Sequence, residues 1–274
     1  MKAGISTACY FGKLLVEDTF EAIKKAGASH AEVFLNAPSE YEDSFTSMLR
    51  ERADKNGISI DSVHPVGMQY ELQLFSTYAR AAEDSRNMYR KVLRAASRLG
   101  AKYYIFHGGM FLKPLAANQL NFKNVGKNVD LISTIAADYG ISFAYENVYW
   151  CWYAYPEFAE RLLNETKNPN LRFNLDIKQA QLSGRTVEDY IAYMGKRLCN
   201  VHICGLEIEG KNVSTCMPGK GNYDLGNLKT LLQKQNYDGN VIIEVYAKDF
   251  ESDEDMKNAY EFVRELFEGR NSSI

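Results

Sequence analysis

Eight times along this chain a short apolar run of strand length is followed by a stretch with helical spacing. This alternation constrains the fold more than any other feature. A strand that feeds a crossover helix must re-enter the sheet from the same end, so the strands all run parallel. The strand runs lie at 4–6, 31–35, 58–63, 102–106, 141–146, 171–175, 198–201 and 241–243. Between them, apolar residues recur on one helical face: Phe45, Met48, Leu49 and Ala53 before Gly57; Met88, Val92, Ala95, Ala96 and Leu99 before Gly100; Val125, Val129, Ile132 and Ala136 before Gly140. Further helices are expected after an Asp18 N-cap, near 156–164 and 187–194, from about Asn227, and over Met256, Ala259, Tyr260, Val263 and Phe267. The length of 274 residues suits a (β/α)8 TIM barrel, which typically takes about 250. One such domain is expected over 1–274, with the tail 269–274 frayed. An open doubly wound sheet is the alternative, but GISTACYFG after the first strand lacks the GxGxxG fingerprint.

Charge narrows the partners. A net charge of -3 gives no basic footprint for nucleic acid or for an anionic membrane, which leaves a small molecule as the expected ligand. The N-terminus MKAGISTACYFG lacks the apolar core of a signal peptide, and no apolar run approaches the roughly 20 residues that span a bilayer. A cytoplasmic protein is expected. Cys9, Cys151, Cys199, Cys204 and Cys216 are odd in number and show no CxxC spacing, which argues for reduced thiols.

Residues capable of chemistry recur at one structural position, the C-terminal end of a strand: His64, His107, Glu146, Asp176, His202 and Glu244. That is the face on which barrel enzymes carry their active sites. Period-2 alternation then points Ser62, Tyr103, Ala144, Asn174, Asn200 and Ile242 into the barrel below them, where Asn174 and Asn200 either orient site residues or simply bond each other. Three converging carboxylates repel by about 4 kcal/mol per pair at about 4 Å, and a divalent cation removes the repulsion. Glu146, Asp176, His202 and Glu244 offer three carboxylates and one imidazole, a hard set that favours Mn²⁺, Mg²⁺ or Co²⁺ and admits Zn²⁺.

The strand ends SVHPVG, IFHGG, AYEN, LDIKQAQLSG, NVHICG and IIEVY, with the loop PGKGNYDLG, resemble the xylose isomerase-like TIM barrel superfamily, which takes in sugar phosphate isomerases and epimerases and endonuclease IV. The resemblance covers nearly the whole chain. It implies a metal-dependent isomerase or epimerase acting on a sugar or sugar phosphate. As in the ketose 3-epimerases, one metal is then held by Glu146, Asp176, His202 and Glu244, with Glu146 and Glu244 exchanging a proton on opposite faces of the reacting carbon. It also implies that His64 and His107 touch substrate hydroxyls in a single-metal member, or are ligands in a multi-metal one.

Two departures stand out. Asp176-Ile177-Lys178-Gln179 replaces the family's usual Asp-x-x-His, and the loop 204–212 offers Glu207, Glu209 and Lys211 where the ketose epimerases carry an arginine. Gln179 can still bond a sugar hydroxyl, and Lys178 can meet a carboxylate or phosphate or stay solvated at the rim. Trp150 and Trp152, with Tyr149, Tyr153, Tyr10 and Phe11, suit a sugar pocket wall or equally a face between copies in a homo-oligomer. Cys204 is either near the metal or a buried inert thiol, Asp224 either a site acid or a helix cap, and His30 an ordinary surface residue on the opposite face. A barrel that binds sugar without turnover is the alternative reading, ahead of an inosose dehydratase-like lyase or an endonuclease IV-like nuclease. The last calls for more histidines than the four present and for a cationic surface.

Overall fold

The computed structural model describes residues 1–67, 70–110 and 120–269; the expected frayed tail, apart from Gly269, lies outside the described residues. Eight parallel strands close a barrel: β1 (Lys2–Ser6), β2 (His30–Leu35), β3 (Ser59–Pro65), β4 (Tyr103–Phe106), β5 (Ser142–Glu146), β6 (Leu171–Asp176), β7 (Leu198–Ile203) and β10 (Asn240–Ile243). Each pairs with its neighbour in the chain, and β1 closes the ring against β10. The TIM barrel expected from the alternation is therefore the fold. β1 and β2 begin two and one residues before the expected starts, and β3 and β7 each run two residues past the expected ends.

The outer ring holds α1 (Thr19–Lys25), α2 (Asp43–Asn56), α3 (Ala79–Leu99), α4 (Phe122–Ala137), α5 (Glu157–Glu165), α6 (Ile177–Leu182), α7 (Val187–Met194), α8 (Leu225–Lys234) and α9 (Asp253–Phe267). Its apolar faces bury Leu49, Ala53, Val92, Leu99, Val129, Ile132, Met256 and Val263 against the sheet. Helices α2 and α3 stop where Gly57 and Gly100 turn left-handed, at φ of 69° and 78°. Asp18 stands before α1 without bonding its backbone and pairs instead with Arg52 at 2.7 Å.

Two features were not expected. An antiparallel hairpin, β8 (Gly205–Glu209) and β9 (Asn212–Cys216), rises from the end of β7 through a two-residue turn with Gly210 at φ 63°. Register shifts between Ala31 and Glu32 and between Phe173 and Asn174 set Glu32 opposite Ser62 and Asn174 opposite Asn200. A bulge re-aims the side chains that follow it, and both shifts lie just below the barrel mouth. No helix among the described residues is long and apolar enough to cross a membrane.

Candidate active site

Glu146 ends β5, Asp176 ends β6, His202 lies next to last in β7, and Glu244 follows β10. These are successive strands of the barrel order, and one ligand atom from each residue falls within 4.8 Å of the others. His202 is the hub. Its Nδ1 lies 3.0 Å from Glu146 Oε1 and 3.6 Å from Glu244 Oε2, with Asn174 Nδ2 at 3.2 Å. Asn200 Nδ2 in turn donates to Asn174 Oδ1 at 2.9 Å, so the two asparagines both bond each other and reach the hub. Asn147 bonds both backbone polar groups of Asp176, at 2.8 and 2.9 Å, and so locks the ends of β5 and β6 together.

Sequence reasoning missed Glu32. It is fully buried beneath the mouth, with Oε2 3.0 Å from His202 Nε2 and Oε1 3.5 Å from His64 Nδ1, and it accepts from Ser62 at 2.7 Å and Ser6 at 3.4 Å. A carboxylate behind a ligating imidazole fixes the ring's orientation and raises its basicity. Glu71, also missed, accepts from the backbone N–H groups of His107 and Gly108 at 3.0 and 2.9 Å and from the Tyr104 hydroxyl at 2.8 Å, which anchors the turn after β4. Burial pushes the Glu71 carboxyl up.

His64 and His107 meet the cluster from the β3 and β4 side. Their Nε2 atoms are 2.8 Å apart, and His107 Nε2 is 2.9 Å from Glu146 Oε2. That oxygen is buried and receives no hydrogen bond, as is His64 Nδ1. Imidazole nitrogens and carboxylate oxygens thus converge on one point of the mouth, as the ligands of a cation do. Trp150 stands edge-on to His107 at 5.9 Å, while Trp152 packs on Phe75 and covers Gly109, where any side chain would strike its ring.

The structure corrects some expectations and decides between the alternatives left open in others. Tyr153 and Tyr10 are core residues and line no pocket: Tyr153 stacks on Phe158 at 4.9 Å, and Tyr10 packs on Phe250. Phe11 is 62 % exposed. Gln179 Oε1 accepts from the Tyr149 backbone N–H at 3.3 Å, tying down the aromatic loop. Asp224 caps α8 through Asn227 N–H at 2.9 Å. His30 is half-buried and bonded to Asp61 at 2.6 Å. Cys204 is buried, its thiol pushed well up by burial and by the charge of Asp176. Lys178 does not sit at a solvated rim: its side chain is 8 % exposed and its Nζ lies 3.5 Å from both Asp176 Oδ2 and Glu244 Oε2.

Burial alone would raise every carboxyl here. The imidazoles offset this and hold Glu32, Glu146 and Glu244 below the usual range, helped at Glu244 by Lys178. Asp176, with burial first and Glu146 and Glu244 beside it, is pushed up to about 6 against the pull of Lys178. Burial opposes charge on His64, yet its partners Glu244 and Glu32 push it up to about 10. A raised imidazole stabilises the fold fully below its unfolded value of 6.5 and stops doing so as pH climbs through about 10. The depressed carboxylates act at the other end: their contribution is present above 4.5 and fades as pH falls through their folded values. The metal-free protein should therefore lose up to about 1.4 kcal/mol per pH unit for each such histidine as pH rises from about 6.5 toward 10. Urea midpoints at pH 7, 8 and 9 measure this, and a flat profile would mean the imidazoles fold neutral.

The sequence matches the xylose isomerase-like TIM barrel model over residues 20–266. No curated protein matches it. Among solved structures it is similar to a D-psicose 3-epimerase crystallised in the presence of D-fructose (18% identity, TM-score 0.80, 98% of this chain and 100% of that one). It is likewise similar to IolI protein with a binding zinc atom (18%, 0.81, 99% and 100%) and to 3-keto-D-glucoside 4-epimerase from E. coli (15%, 0.76, 96% and 99%). Identities this low speak for fold alone. The family model is matched from α1 to the end of α9, and takes in every strand but the first; the chain belongs to the xylose isomerase-like TIM barrel family.

Proposed function

We propose that the protein is a metal-dependent isomerase or epimerase of a sugar or sugar derivative that works by removing a proton next to a carbonyl. The observation that carries this is the convergence of Glu146, Asp176, His202 and Glu244 at the ends of four successive strands. Three carboxylates and an imidazole suit one divalent ion, with Mn²⁺, Mg²⁺ or Co²⁺ favoured and Zn²⁺ accommodated, and Glu146 Oε2, which is buried and receives no hydrogen bond, fits that role. When bound, such an ion polarises a carbonyl and its adjacent hydroxyl.

The chain's own residues do the rest. Glu146 and Glu244 stand on strands separated by β6 and β7, so they approach the barrel mouth from different sides. One carboxylate takes the proton from carbon and the other returns one to the opposite face, which inverts the centre. Glu32 fixes the His202 ring, while His64 and His107 present imidazoles to substrate hydroxyls beside the edge of Trp150. The similar structures, a D-psicose 3-epimerase in the presence of D-fructose, a 3-keto-D-glucoside 4-epimerase and a zinc-bound protein, agree with a small sugar or sugar derivative as ligand.

Protein produced with ample metal should carry one divalent ion per chain and should exchange hydrogen for deuterium next to the carbonyl of a ketose in D₂O. Three zincs per chain would point to a nuclease, and no metal would sink the mechanism. A second reading, a barrel that binds sugar without turnover, is favoured by Gln179, whose amide is tied to Tyr149 and does not reach into the cage. Full metal occupancy with no exchange across a ketose panel would select it.

A further inference from the structure

Lys178 follows Asp176 by two residues, in the first turn of α6, and its side chain folds back into the barrel mouth. The Nζ sits 3.5 Å from Asp176 Oδ2 and 3.5 Å from Glu244 Oε2, with the Tyr246 ring 4.9 Å away. A lysine enclosed by two carboxylates keeps its ordinary positive charge, and an ammonium has no free electron pair with which to attack a carbonyl. Its charge faces inward, toward the groups proposed to hold the ion.

Those two carboxylates are half of the proposed ligand set. An ammonium and a divalent ion cannot share their oxygens in a site this buried, because like charges at that separation repel strongly where solvent does not screen them. We infer that Lys178 is a resident cation of the cage, which a divalent ion must displace from Asp176 and Glu244, so that this side chain sets how tightly the centre holds metal. A route for the displaced head is built in. The Nζ already lies over the face of the Tyr246 ring, which is half exposed at the mouth, and the four-carbon stem can carry the ammonium outward along that face while the aromatic attraction is kept.

The inference rests on the metal-centre reading above, and the test separates the two. Mn²⁺ and Zn²⁺ are titrated by calorimetry into metal-stripped full-length protein, as wild type, Lys178→Met, Lys178→Gln and Lys178→Arg. Both neutral variants should bind the ion at least about tenfold more tightly, whereas Lys178→Arg, which keeps the charge, should bind no more tightly than wild type. The metal-induced rise in melting temperature gives a second readout that loss of a merely structural lysine would not enlarge. The neutral variants should melt below wild type without metal, and saturating Mn²⁺ should raise them by more than it raises wild type. A variant that folds only in the presence of metal counts as the same result in extreme form. Equal or weaker binding by both neutral variants would overturn the role of Lys178 and leave the metal centre standing. No binding by any form would overturn both.

Discussion

Glu146→Gln is expected to lower turnover, and deuterium exchange at the reacting carbon, by about 10³-fold or more. Glutamine keeps the shape of the buried side chain, so the fold should persist, but an amide can neither take the substrate proton nor supply an anionic oxygen. The change also reaches the neighbours. His202 Nδ1 at 3.0 Å and His107 Nε2 at 2.9 Å both lose their negative partner, and metal content should drop well below one ion per chain. Turnover and elemental analysis on the same sample check both halves. Activity within tenfold of wild type would remove Glu146 from the mechanism.

The largest effect on stability should come from Glu32→Ala. Glu32 is fully buried and its carboxylate faces His202, His64, Ser62 and Ser6. Breaking a buried ion pair by removing one partner costs about 3–5 kcal/mol, because the other charge is left uncompensated. Urea denaturation of the metal-free protein near pH 7 measures it. Glu32→Gln keeps the volume and should cost less, while still loosening the His202 ring and weakening metal binding by about 10–100-fold. A loss under about 1 kcal/mol for the alanine variant would mean that His202 is held by other groups.

The barrel was legible in the sequence because its causes are local and periodic: apolar runs of strand length, helical faces closed by Gly57 and Gly100, and polar residues repeated at strand ends. What escaped notice has no such period. Glu32 lies within HAEVFL, whose apolar residues make it read as an ordinary strand. Alternation held the signal, since Ala31 and Val33 face the helices and leave Glu32 turned inward, but the register shift beside it could not be read from sequence. Glu71 sits in a short 3-10 turn whose contacts are set by tertiary folding. For Lys178 the sequence leaves both a carboxylate partner and a solvated rim open, since solvent is the usual fate of a lysine at a loop, and only the fold brings two carboxylates from different strands around it. The hairpin was read as a loop although GLEIEGKNVSTC carries a Gly-Lys turn between alternating residues.

That hairpin bears on how such a barrel can change its taste in ligands. The segment between β7 and α8 runs over residues 204–224, a length at which a structureless connection would be costly to order above the mouth. Here cross-strand bonds from Gly205–Cys216 to Glu209–Asn212 stiffen it from within, and Leu206 O receives the N–H groups of both Asn222 and Tyr223 as the chain folds back. The flap carries its own scaffolding, and its exposed Glu207, Glu209 and Lys211 hang from that scaffolding and not from the strands that hold the cage. Substitutions at its tip can accordingly be sampled without disturbing the strand ends that carry Glu146, Asp176, His202 and Glu244, a modularity that lets the roof drift while the barrel mouth beneath it stays fixed.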